Sequence, residues 1–77
     1  MKTKYNYIHF EVTGNYWECR NNKTNKVLGI VYTHKRWKQY VYAPKTITVY
    51  SAGCLADIQH FMEQLKGFVV SQEITFA

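Results

Sequence analysis

His34-Lys35-Arg36-Trp37-Lys38-Gln39-Tyr40-Val41-Tyr42-Ala43-Pro44 is the stretch whose strand parity decides the architecture. Successive side chains of a strand point to opposite faces, so Arg36, Lys38, Tyr40 and Tyr42 share one side, and Trp37, Val41 and Ala43 the other. The second side is apolar and suits a core. The first is basic and aromatic and is expected to face water. Lys35 and Arg36 open this unit as a turn, a strand covers 37–43, and Pro44 ends it because proline has no ladder N–H.

Working upstream, residues 5–12 alternate, with Ile8, Phe10 and Val12 on one side and Tyr7, His9 and Glu11 on the other, as in a half-buried strand. Thr13-Gly14-Asn15 reads as a turn. A second strand over 16–21 turns Trp17 and Cys19 toward the core, and the polar run from Asn21 to Asn25 reverses the chain. Residues 26–34 are apolar on both faces, with Leu28, Ile30 and Tyr32 opposite Val27 and Val31, which predicts a central strand.

Downstream, residues 47–50 are β-branched and short, an edge strand or an extended connector. Ser51 is placed to cap a helix over 52–66, its hydroxyl accepting from an amide of the first turn. Cys54, Leu55, Ile58, Phe61, Met62 and Leu65 recur at helical spacing and form one apolar stripe. Asp57 toward the start and Lys66 toward the end complement the helix dipole, and Gly67 suits a left-handed C-terminal cap. Phe68, Val70, Gln72, Ile74 and Phe76 alternate, which leaves room for a further strand over 68–76. The expected fold is α+β: one domain over 1–77, an antiparallel three- to four-stranded β-meander with one amphipathic helix packed on one face.

Seventy-seven residues support one modest core. Ten Lys and Arg against five Asp and Glu give a net charge of +5, which favours anionic partners, although such a charge also serves solubility alone. With 17% aromatic residues, seven of them tyrosines, the chain is no disordered polymer. Two cysteines without a Cys-x-x-Cys spacing fit neither a disulfide scaffold nor a zinc site, and point to a reducing compartment, the cytoplasm. No apolar run approaches a membrane span.

Catalysis has little to draw on. His60 and Glu63 are three apart on the expected helix, a spacing that describes any surface contact. Cys54 lies near a helix start, where a thiolate is favoured, yet it belongs to the apolar stripe. No phosphate-binding glycine loop, nucleophile elbow or paired-carboxylate motif occurs. The expectation is a binding protein, not an enzyme, without cofactor or metal.

Its expected surface is the sheet face away from the helix. Arg36, Lys38, Tyr40 and Tyr42 form the centre, Arg20 the neighbouring strand, and Lys23, Lys26 and Lys35 the adjoining turns. Cations neutralise phosphates while tyrosine rings stack on bases, so DNA or RNA is the first partner class. The same side chains dominate protein hot spots, so an acidic host protein or a second copy of the chain is the alternative. Trp17 and Trp37 are expected to be core anchors, and an exposed tryptophan would mean a one-residue error in parity.

Leu28-Gly29, Tyr32, Arg36-Trp37, Gln39-Tyr40, Tyr42, Pro44, Ser51, Cys54-Leu55, Asp57-Ile58, Phe61 and Leu65 together resemble a pattern in small proteins of bacteriophages and mobile elements. The resemblance covers residues 16–66. It implies a β-meander followed by a helix acting inside a bacterial cell, and carries no activity. The β-β-β-α order is also similar to the arm-site DNA-binding domains of phage integrases, in topology alone.

Overall fold

The computed structural model describes residues 1–45 and 48–69, with side chains through Lys66. Strands β1 (Ile8–Thr13), β2 (Tyr16–Asn21), β3 (Val27–His34) and β4 (Gln39–Pro44) form one antiparallel sheet in the order β1-β2-β3-β4, and helix α1 (Ala52–Val69) packs across one face. This is the α+β meander that the alternation predicts.

Each reversal has a local cause. Between Thr13 and Tyr16, Gly14 takes φ 61°, a region glycine enters without a Cβ penalty. Between β2 and β3, the Asn21 carboxamide oxygen accepts from the amides of Lys23 (2.8 Å) and Thr24 (3.0 Å), and Asn25 turns the chain at φ 61°. Between β3 and β4, residues 35–38 form a four-residue turn closed by Lys38 N–H donating to the His34 carbonyl at 2.7 Å. At the helix start, Cys54 N–H donates to Ser51 Oγ at 3.1 Å, the cap that the sequence predicts.

The core lies between sheet and helix: Tyr5, Ile8, Phe10, Cys19, Val31, Ile58, Phe61 and Leu65 are buried. Phe61 is its centre. Its ring stacks on Phe10 with centroids 3.9 Å apart and planes within 2°, and meets Trp17 edge-on at 5.1 Å. The segment before β1 is held against α1, where the Gln64 carboxamide donates to the Lys2 carbonyl (2.7 Å) and accepts from the Lys2 amide (2.8 Å).

Several expectations need correction. Tyr40 and Tyr42 do not look out to water: Tyr42 pairs with Val31, and both tyrosines pack against the core beneath the helix. Trp37 is no core anchor. It sits in the 35–38 turn at 60% exposure, ahead of a strand that starts at Gln39 and not at 37. The 35–38 turn lies outside the strand, so Trp37 carries no parity for β4, and the side of Tyr40 and Tyr42 is the one that faces the core.

Smaller differences follow from packing. A bulge sets Cys19 opposite Gly29 but Arg20 opposite Val27, so the extra residue Leu28 joins the core side. The first strand begins at Ile8, with Tyr5 reaching the core from outside it, and Leu55 is exposed. Thr48–Tyr50 forms no strand. The helix runs through Gly67 to Val69, and no acidic residue falls in its first turn, so Asp57 lies too far along to complement the dipole there. The remainder of the expected strand over 68–76 lies outside the described residues.

Candidate functional site

The meander sends the β1–β2 and β3–β4 turns to one end of the sheet and the β2–β3 turn to the other. Lys23 and Lys26, exposed in the β2–β3 turn, are thereby separated from Lys35, Arg36 and Lys38 by the length of β3. At about 3.3 Å per residue its eight residues span roughly 25 Å. The two basic groups do not form one patch.

Arg20 is withdrawn from both groups. Its guanidinium donates to Glu18 Oε1 at 2.7 and 3.0 Å and to the Asn25 carbonyl at 2.7 Å, and lies 3.7 Å from Glu11. Glu11 and Glu18 stand directly opposite each other on β1 and β2, and Arg20 between them offsets the like-charge repulsion. His9 completes the network, with Nε2 2.9 Å from Glu11 and Nδ1 2.7 Å from the Asn22 carboxamide oxygen. The open sheet face therefore holds a cluster of two carboxylates bridged by one guanidinium beside half-buried Ile30, Tyr32, Val41 and Ala43. It is not the basic platform expected of it.

Tyr42 is built into the interior by its hydroxyl. Tyr50 donates to the carbonyl of the bulged Leu28 at 3.1 Å, so the 2.7 Å contact between the two phenols is made by Tyr42 donating to Tyr50. Burial pushes the Cys19 thiol up to about 11 and raises Tyr42 well above the ordinary phenol range, so both are neutral packing groups. Tyr5 is also raised, by burial and then by the charge of Asp57.

What remains is the β3–β4 hairpin tip. The Trp37 indole lies on the His34 imidazole with centroids 4.2 Å apart and planes inclined by 17°. The Trp37 amide donates to His34 Nδ1 at 3.2 Å, which ties the turn backbone to the same ring. Lys35, Arg36 and Lys38 neighbour the pair in the chain, all exposed, and among the described residues none has an ion-pair partner. The described carboxylates are elsewhere: Glu11 and Glu18 on the sheet, Asp57 and Glu63 on the helix.

Lys38 adds an observation from the backbone. It occupies the left-handed region at φ 54°, where an L side chain is strained and glycine is the favoured residue. A lysine stands there instead. Sequence reasoning included Lys35, Arg36 and Lys38 but missed His34, and misassigned Trp37. The available signal was the three cations at 35, 36 and 38, too closely spaced and polar to begin a strand before Gln39.

Among the described residues, no group of three or more His, Cys, Asp or Glu side chains is placed to hold a metal ion. Among the described residues, no helix is long and apolar enough to cross a membrane. Comparison with protein-family models, curated proteins and solved structures returns no match.

Proposed function

We propose that this chain is a small non-enzymatic nucleic-acid-binding protein that engages its partner through the β3–β4 hairpin tip. The observation that carries the reading is Trp37, exposed and stacked on His34, with Lys35, Arg36 and Lys38 as chain neighbours that have no ion-pair partner among the described residues. Cations supply affinity through phosphate neutralisation and counterion release, while an exposed aromatic face supplies stacking. Lysine at a backbone position that favours glycine is strain kept at a place where a charge is useful. The setting consistent with the phage-like pattern is the cytoplasm of a bacterial host.

The test is binding of a labelled oligonucleotide measured over a range of salt. Replacing Arg36 and Lys38 by alanine is expected to weaken binding and flatten its salt dependence, with the thermal midpoint nearly unchanged. Absence of binding by the wild-type protein at low salt would remove the reading. The second reading is an adaptor or inhibitor that docks a host protein through the same tip, favoured by the exposure of a tryptophan beside an arginine, two residue types that dominate hot spots. A single stoichiometric protein recovered from nuclease-treated lysate, with no oligonucleotide binding, would select it.

A further inference from the structure

We infer that the nucleic acid taken by the hairpin tip is single-stranded, with one unstacked base lying on the free face of Trp37; this rests on the nucleic-acid reading above and narrows it. An indole has two faces. His34 covers one, at 4.2 Å and 17°, and with Trp37 60% exposed as a residue the other is the face offered to a second flat partner. Stacking on that face requires a base whose own face is free. In a duplex each base is already sandwiched between neighbours, and exposing it costs unstacking and unpairing, whereas a single strand offers it at little cost.

The order of residues around Trp37 suits one nucleotide and its two phosphates. Arg36 and Lys38 are its immediate chain neighbours, so a strand whose base stacks on the indole has a cation for the phosphate on either side of it. Lys35 extends the positive field by one further residue. The ring is also held before any ligand arrives, by the imidazole beneath it and by the bond from the Trp37 amide to His34 Nδ1. Less side-chain freedom is then lost on binding. Groove reading by Arg36 would leave the exposed indole unused, since its edge offers a base only a single N–H donor and its flat face has no counterpart in a stacked duplex.

The experiment measures anisotropy of a labelled short oligothymidylate and of a blunt duplex of equal length, at one low salt concentration, with polyglutamate as a competitor. Wild type is expected to prefer the single strand by roughly tenfold or more, and Trp37→Ala to lose most of that preference, the scale of one stacked base. Trp37→Phe keeps a flat ring and should retain much of it. His34→Ala, which removes the positioning ring, should weaken single-strand binding while leaving duplex binding unchanged. Because residues 34 and 37 lie outside the buried core, circular dichroism should report folded protein for each variant. Equal affinity for single strand and duplex, with Trp37→Ala silent on both, would overturn the stacked-base inference and leave nucleic-acid binding standing. Binding to neither would overturn both. Displacement by polyglutamate at equal charge concentration would reduce the tip to a nonspecific anion surface and also overturn the inference.

Discussion

The Tyr42 ring rests directly on the backbone of Gly29, so closely that a Cβ built on Gly29 would collide with the phenol and lie 2.7 Å from the Ala43 carbonyl oxygen. Glycine is required there because a large aromatic residue of the next strand occupies the volume of its side chain. Gly29→Ala should therefore destabilise the fold by about 2 kcal/mol or more, the scale of overpacking in a closed core. For a domain of this size that lowers the thermal midpoint by roughly 10 °C. Gly53→Ala is the internal control: its nearest neighbour would be Ser51 Oγ at 3.8 Å, on an exposed helix position. That substitution should be neutral or raise stability by up to about 1 kcal/mol. Equal effects of the two would contradict the contact.

The Gly29–Tyr42 contact also explains which parts of the molecule were legible in the sequence. Strands with one clean alternation announced themselves: Ile8 and Phe10, then Trp17 and Cys19, lie where parity puts them. So did the helix, because Ser51 and the spacing of Ile58, Phe61 and Leu65 are local signals. Tyr40 and Tyr42 were illegible because tyrosine suits either face of a strand. What seats Tyr42 inside is non-local, namely a glycine on β3 and the Tyr50 hydroxyl linking it to the bulged Leu28 carbonyl. Arg20 was misread for a similar reason, since its partners Glu18 and Glu11 become neighbours only once β1 and β2 pair.

Stability should fall in alkali before the surface charge becomes a general problem. Burial holds the Cys19 thiol at about 11 against an ordinary 9.0. The unfolded chain thus releases this proton at lower pH than the folded one. The associated stability is complete below about pH 9 and is lost progressively as pH rises toward 11. From this group alone the loss should reach about 2 kcal/mol near pH 10.5, and the raised Tyr42 and Tyr5 phenols extend it further upward. Urea midpoints recorded from pH 8 upward provide the measurement, with Cys19→Ala expected to show a shallower alkaline slope. A flat profile to about pH 10.5 would contradict the sealed thiol.

The two thiols should react in sequence. Cys19 is fully buried whereas Cys54 is only partly so, and both are free. A disulfide reagent such as dithionitrobenzoate should label one thiol per folded chain quickly, and Cys54→Ala should abolish that phase. The second thiol should react at a rate set by opening of the sheet–helix core and accelerate with denaturant. Two fast phases in native buffer would show that Cys19 is not sealed beneath the helix.

Lys38 allows stability and binding to be moved in opposite directions by one substitution. At φ 54° the lysine backbone is strained, and glycine adopts that conformation without a Cβ penalty. Lys38→Gly should hold the 35–38 turn at least as well and raise stability by up to about 1 kcal/mol, the scale of the left-handed penalty for an L residue. Yet it removes one of the three cations around Trp37, so oligonucleotide affinity should fall and the salt dependence should lose roughly one phosphate contact. Denaturant titration and binding isotherms on the same preparation read both quantities. A variant that gains stability and keeps its affinity would mean the charge at 38 is not used in binding. One that loses both would mean the lysine supports the turn itself, and the strain at this position would then have no connection to a ligand.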